Sequence, residues 1–345
     1  MIEINEGIRV RLVPICALCE SEGTLLYQNL HDCLFDAPGN WSLMYCPRCS
    51  LVWLNPQPLP EDIGKLYKTY HTHVIGTHRP RFGPLRKFVH NSILGTRLGY
   101  TELVQSSVQR VLGRVLSWVG PIREMVELGT GCLNGQVRGR LLDVGCGNGQ
   151  FLVKMRKLGW EVTGIEPDRQ AVKIAREQFD LNIHKGTLEE GKFPGDIFDA
   201  VTIVHVIEHV WDPTSTLQEC HRILKPSSRL VIITPNIESL GHRLFRKAWR
   251  GLEVPRHLYL FSPRTLRVCA ERAGLQVLKL WTTARSARWM WAASRLIYQE
   301  GILPGGSPQR QSLWLRLEGL AFWIIEYELC RWKNVGEEIV LVATK

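Results

Sequence analysis

Apolar and polar positions divide the chain into stretches of different rhythm. From residue 140 onward, short apolar runs alternate with segments of helical spacing, the pattern of a doubly wound parallel sheet covered on both faces. Leu141–Val144 reads as a buried strand and Phe151–Leu158 as the helix after it. Further strands are expected at Glu161–Glu166, Ile183-His184, Phe198–His205, Leu230–Thr234 and Leu275–Trp281, with a last one at Glu337–Ala343. Asp212 and Pro213 supply an N-cap and first-turn proline for a helix running to Leu224, and the helix at Pro263–Ala273 stops at Gly274.

Before residue 140 the rhythm differs. Residues 61–137 read as mostly helical, with an amphipathic run around Leu103–Trp118 and a basic loop at Arg79–Lys87. Val126–Gly131 imitates a strand followed by a glycine turn. Glu166 lies 39 residues beyond Glu127 and Asp143 only 16, so neither fits one strand–helix–strand step, and 126–137 is expected to be a loop. The proline-dense Asn55-Pro56-Gln57-Pro58-Leu59-Pro60 marks a boundary. The expected organisation is 1–60, a connecting segment 61–137, and a domain 138–345 with an insert at 284–335.

The insert is unusually aromatic: six of the twelve tryptophans lie between residues 281 and 332. Leu313, Leu317, Leu320, Ile324 and Tyr327 fall at helical spacing, which predicts one helix over 311–333 with that face buried. Trp314, Phe322, Trp323 and Ile325 widen the apolar surface, and Trp289 and Trp291 add to it. Arg285, Arg288, Arg295, Arg310 and Arg316 rim it. This composition suits a lid on a substrate cleft, a protein contact or a membrane-interface helix.

An apolar share of 45% with 22% charged residues excludes wholesale disorder. No apolar run approaches the ~20 residues that span a bilayer, and the acidic start Met1-Ile2-Glu3-Ile4-Asn5-Glu6 is unlike a secretory leader. The expectation is a cytoplasmic protein, with room for peripheral membrane contact. The net charge of +10 is uneven: −3 over residues 1–60, +5 over 61–137, −1 over 138–239 and +9 over 240–345. Basic flanks attract phosphate-bearing partners such as nucleic acid, nucleotide-sugars or anionic lipid, or serve solubility alone.

Ten cysteines are too sparse for a disulfide scaffold. Cys16-x-x-Cys19 and Cys46-Pro47-Arg48-Cys49 are two knuckles with the spacing of a closed, structural four-thiolate zinc site. His31 and Cys33 lie between them as spare ligands. Cys132, Cys146, Cys220, Cys269 and Cys330 show no ligand spacing and read as packing residues.

Asp143-Val144-Gly145-Cys146-Gly147-Asn148-Gly149 ends the first strand in a glycine turn, where backbone can approach a ligand closely. Glu166 ends the second strand 23 residues after Asp143, the place from which a carboxylate holds ribose hydroxyls. Together with Phe198-Asp199-Ala200-Val201, Leu224-Lys225-Pro226 and the late last strand, these residues resemble the class I S-adenosylmethionine-dependent methyltransferases. The resemblance implies a Rossmann-like seven-stranded sheet, preceded here by a small N-terminal zinc ribbon and interrupted by a helical insert before the last strand. It also implies S-adenosyl-L-methionine as cofactor. Gly145, Gly147 and Gly149 would face its methionine moiety, Asp143 would order the amino group, Glu166 would bind the ribose, and Thr187 and Leu188 would lie against adenine. Cys46–Val52 is similar to the ribbon of deoxysugar C-methyltransferases.

Catalytic groups should project from the carboxyl ends of strands four and five. His205-Val206-Ile207-Glu208-His209 leaves strand four there, and His257 follows in Pro255–Ser262. Small-RNA 2′-O-methyltransferases and ubiquinone-pathway O-methyltransferases carry a similar Glu-x-x-Glu-His segment that holds a divalent metal, and the small-RNA enzymes add a later histidine. Here His205, Glu208, His209 and His257 either gather around a cation, with donors suited to zinc or iron over magnesium, or only order the loop above the cofactor. The expected acceptor is a small or lipid-linked metabolite, such as an activated sugar. RNA is the alternative, disfavoured by the acidic ribbon, and a non-catalytic cofactor-binding module is the third reading.

Overall fold

The structure, a computed structural model, describes residues 2–67, 83–308 and 311–345. The basic loop at Arg79–Lys87 therefore lies partly outside the described residues, and Arg310 wholly so. Ile2–Asn5 (β1) and Ile8–Arg11 (β2) form a hairpin across the left-handed pair Glu6-Gly7. Thr24–Leu30 (β3), Trp41–Tyr45 (β4) and Val52–Asn55 (β5) pair antiparallel around buried Trp41, Leu43, Trp53 and Leu54. Gln57–Pro58 (β6) returns to β2, and Ile63–Leu66 (α1) makes one turn.

Helices Pro84–Arg97 (α2), Ser107–Leu116 (α3) and Gly120–Leu128 (α4) follow. The segment read as a loop before the sheet thus begins as the end of α4. Its Gly129 N–H closes on Met125 O, so the strand-like pattern at 126–131 serves a helix end. Arg140–Val144 (β7) is buried along almost its whole length, as a central parallel strand must be. Gln150–Lys157 (α5), Glu161–Glu166 (β8), Arg169–Phe179 (α6), Asn182–Lys185 (β9) and Phe198–Val204 (β10) come next. β8 and β10 both pair parallel to β7, and β9 parallel to β8.

Pro213–Ile223 (α7) starts where Asp212 accepts the Ser215 N–H. It ends one residue early, because Leu224 already opens a long strand, Leu224–Pro235 (β11). The polar Ser227-Ser228-Arg229 hid that extension from the apolar pattern. Leu240–Phe245 (α8) precedes the two-residue strand Tyr259–Leu260 (β12), and Pro263–Arg272 (α9) is locked by a capping box between Ser262 and Thr265. Gln276–Thr283 (β13), Ala287–Glu300 (α10), Leu313–Cys330 (α11) and Glu338–Thr344 (β14) complete the chain. The large sheet has the order β13-β14-β11-β10-β7-β8-β9, and a smaller one the order β12-β5-β4-β3.

One expected face is wrong. In α11 the buried stripe is Leu315, Gly319, Phe322 and Glu326, while Leu313 is 71% exposed and Leu317 and Ile324 also face outward. Apolar residues surround the helix on every side, so periodicity alone did not select a face. Packing against α10 does: Phe322 stacks on Trp291 with ring centroids 4.7 Å apart. No helix among the described residues is long and apolar enough to cross a membrane.

By its internal contacts the chain forms two compact units. One comprises Met1–His71, His205–Leu217 and Ile232–Val342, and the other Thr72–Val204, Gln218–Val231 and Ala343–Lys345. The first carries the four knuckle cysteines and the histidine-bearing segments, and the second the glycine turn with Asp143 and Glu166.

Candidate functional site

In the second unit, β7 delivers Asp143 and the glycine turn. Gly147 has a left-handed φ of 52°, and nothing lies within 4 Å of where a Cβ would stand, so the turn is open on that side. Its N–H donates to Glu166 Oε2 at 2.9 Å, and Asp168 N–H donates to Glu166 Oε1 at 2.9 Å. These bonds orient the Glu166 carboxylate at the end of β8, the place from which an acceptor meets ribose hydroxyls. Asp143 is buried and accepts the Thr202 hydroxyl at 2.6 Å. Burial pushes its carboxyl up to about 7, with Thr202 pulling back and Glu166 adding to the rise. A buried carboxylate in that position fits a cationic amino group. Leu188 is buried, and Thr187 offers its N–H to Glu190 rather than outward. Asp143, Gly147 and Glu166 therefore fit S-adenosylmethionine.

In the first unit, the histidine-bearing segments come together. His205, left-handed at φ 54°, lies just after β10. Its Nε2 is 3.0 Å from Glu338 Oε1 and its Nδ1 3.4 Å from Glu208 Oε1. Burial opposes its charge, but the two carboxylates outweigh this and raise it to about 10. His205 is thus occupied as a bridge between two acids. Of the four residues singled out in the sequence, it is the one that does not join the group of donors that lie together. That set is Glu208, His209 and His257, one donor atom of each lying within 4.8 Å of the others.

The tautomers follow from the partners. His209 Nδ1 lies 3.0 Å from Arg256 O, and His257 Nδ1 lies 2.8 Å from Gly251 O. A carbonyl only accepts, so Nδ1 carries a proton in both rings, and the neutral form of each has its lone pair on Nε2. Tyr67 Oη adds a second partner to His209 Nδ1 at 3.2 Å. Glu208 is fully buried and accepts the Thr234 hydroxyl at 2.9 Å. Two imidazole lone pairs and one carboxylate in a buried setting can take up a proton or hold a divalent cation.

Sequence reasoning missed what holds this set. Arg256 and Asp32 form a two-pronged ion pair, at 2.7 and 2.8 Å, with both side chains wholly buried. Asp32 also accepts the N–H groups of Leu34, Phe35 and Ala37, which fixes the loop between the knuckles. Glu253 contacts both Arg250 and Arg256. Arg256 stood beside His257 in a segment already singled out, but a partner 224 residues away leaves no local signal.

The four knuckle cysteines converge. Cys16 and Cys49 Sγ are 3.5 Å apart, Cys19 and Cys46 Sγ 3.3 Å, and all four lie within 4.8 Å of one another. Tetrahedral zinc with bonds of ~2.3 Å would place sulfurs about 3.8 Å apart, so the residues fit structural zinc. The two turns share one geometry: Glu20 N–H donates to Cys16 O and Ser50 N–H to Cys46 O, with Glu20 and Ser50 both left-handed. His31 and Cys33 do not join. His31 faces Gly39 O, and Cys33 packs with Leu34, Ala293 and Ile297.

A methyltransferase-domain family model matches residues 122–280. The chain is similar to ubiquinone biosynthesis O-methyltransferases. The one from Alkalilimnicola ehrlichii is 37% identical over 111 residues, covering 30% of this chain and 45% of that protein. The one from Cereibacter sphaeroides is 31% identical over 167 residues, covering 45% and 68%. The mitochondrial protein of Bos taurus is 33% identical over 172 residues, covering 44% and 46%. The chain spans less than half the length of the first relatives it matches. Among solved structures, a SAM-dependent methyltransferase from Archaeoglobus fulgidus aligns with a TM-score of 0.42 at 21% identity, over 71% of this chain and 98% of that one. With its strand order, its glycine turn, the acid ending its second strand and the breadth of the Cereibacter match, the chain belongs to the class I S-adenosylmethionine-dependent methyltransferases.

Proposed function

We propose that this protein transfers a methyl group to a hydroxyl oxygen of a small, lipid-linked metabolite. The relatives' printed activity, O-methylation in ubiquinone biosynthesis, supports oxygen as the acceptor atom and a lipid-linked molecule as its carrier. S-adenosylmethionine, when bound, supplies a methyl group already activated by the sulfonium. What remains for the chain is to hold the donor, orient the hydroxyl and accept its proton. Asp143 and Glu166 hold the donor. His257 or His209 takes the proton at Nε2, the Nδ1–H bonds to Gly251 O and Arg256 O placing the lone pair of the neutral ring there, with Glu253 Oε2 3.7 Å from Nε2 of His257. This pair of carbonyl-anchored imidazoles is the observation that carries the reading. The same donors, with Glu208, would serve a divalent cation, which would lower the pKa of a bound hydroxyl. We further propose that the insert around α11 walls the acceptor site and meets anionic lipid at its outer edge, where Trp314 is exposed.

The test is methyl-labelled cofactor incubated with the protein and a cell extract. Label should enter the organic-soluble fraction as an O-methyl ether, and His257→Ala with His209→Ala should abolish it. Label in nuclease-sensitive material would favour RNA instead.

A further inference from the structure

Helix α3 is built inside out. Its buried positions are Gln109 and Gly113, followed by Ser117 just past its end, while Val108 (73% exposed), Val111 (59%), Val115 (58%) and Trp118 (88%) face outward. The inward choice is explained by packing on α2. A Cβ on Gly113 would stand 2.3 Å from Ser92 O, so only glycine lets the helices approach this closely. Gln109 is tied into the preceding turn, its amide donating to Leu103 O and its Oε1 accepting from Gln105 N–H. Among the described residues, no contact within the unit gives the outward stripe such a reason. A stripe of this kind recurs over successive turns, unlike scattered surface apolar residues.

The charges beside the stripe define its partner. Arg110 and Arg114 are exposed along one flank, and no acidic residue occurs between Glu102 and Glu124. Gly95 meets Val104 and Ser92 meets Gly113, so α2 runs antiparallel to α3, and its first turn exposes Leu85, Arg86, Lys87 and Phe88. An apolar stripe ending in tryptophan and flanked by cations is the composition of a helix lying in the headgroup layer. We propose that the outer face of the α2–α3 hairpin docks on an anionic lipid surface, with Val111, Val115 and Trp118 inserted and Arg110 and Arg114 paired with phosphates. This surface belongs to the second unit, whereas α11 belongs to the first, and the proposal does not depend on the proposed chemistry.

The experiment is sedimentation of the full-length protein with vesicles of phosphatidylcholine containing phosphatidylglycerol, against phosphatidylcholine alone. Binding should require the anionic lipid and fade as salt rises. Arg110→Gln with Arg114→Gln should weaken partition about thirty-fold, about five-fold per charge. Val111→Asp with Trp118→Ser should abolish it. These side chains are exposed, so circular dichroism should be unchanged in both variants. Partition unaltered in both overturns the proposal. So does a dimer, seen by light scattering and lost in Val111→Asp, in protein that ignores the vesicles; the face would then belong to a second copy.

Discussion

Replacing Asp32 by asparagine tests the buried pair that anchors the histidine loop. In the native structure its carboxylate accepts three backbone N–H groups and both prongs of Arg256. The amide keeps one oxygen, so its NH2 group must face at least one N–H and one guanidinium nitrogen, donor against donor. Arg256 would then remain charged and buried, with Glu253 Oε1 at 3.3 Å a weaker carboxylate contact than the lost pair. Removing one partner of a buried pair costs about 3–5 kcal/mol. At roughly 2–4 °C per kcal/mol the melting temperature should fall by about 6–20 °C. Adding Arg256→Met should recover part of the loss, because the stranded cation is gone. Burial opposes ionisation of Asp32, but Arg256 and the loop N–H groups outweigh it and hold the group below the usual carboxylate range. A depressed pKa stabilises fully above the unfolded value, about 3.9, and the contribution vanishes as pH falls through the folded one. Calorimetry should therefore show a constant gap between wild type and variant from about pH 8 to pH 5, closing only in stronger acid. A gap that closes between pH 8 and 6 would point to a histidine, and a variant melting within about 2 °C of wild type would refute the reasoning.

Three other outcomes are expected. Glu166→Ala strips Gly147 and Asp168 N–H of their acceptor, and Gly147→Val puts a branched side chain at a left-handed position; titration calorimetry should show cofactor binding lost or severely weakened in both, with the fold intact. Metal analysis should find about one zinc per chain, lost in the Cys46→Ser, Cys49→Ser variant, with residues before ~60 becoming protease-sensitive. Burial, with Glu337 and Glu338 nearby, raises the Glu326 carboxyl, whose Oε2 has no hydrogen-bond partner among the described residues. The folded state then binds the extra proton, so stability declines as pH rises above the ordinary glutamate value of about 4.3. Glu326→Gln should flatten that decline in pH-dependent melting and leave the bond to Glu337 N–H in place.

The strand, glycine turn and second strand that carry the candidate cofactor residues were legible because their determinants are local. Asp143, the glycine turn and Glu166 lie within one strand–helix–strand unit, and each residue type is dictated by backbone approach or hydrogen bonding at its own position. The knuckles were legible for the same reason, since two thiolates per turn is a short-range pattern. The face of α11 was not, because a helix apolar all round leaves the choice to its neighbour, here Trp291 on α10. Nor was the role of His205, which depends on Glu338 from the far end of the chain. The inverted α3 shows the same limit, since the amphipathic run predicts a helix but does not say which side faces water.

The pairing of β12 with β5 also bears on how the chain is made. Tyr259 lies opposite Trp53 and Leu260 opposite Val52, so the ribbon's sheet borrows its edge strand from roughly 200 residues downstream. During synthesis at about 5–20 residues per second, that edge would stay bare for roughly 10–40 s. An unpaired edge beside buried tryptophans is a template for mispairing. Metal uptake at the knuckles can order the early segment in the meantime, but closure waits for the late one. The ribbon is thus a poor candidate for excision as an autonomous module, and truncations before Tyr259 should yield chains prone to association.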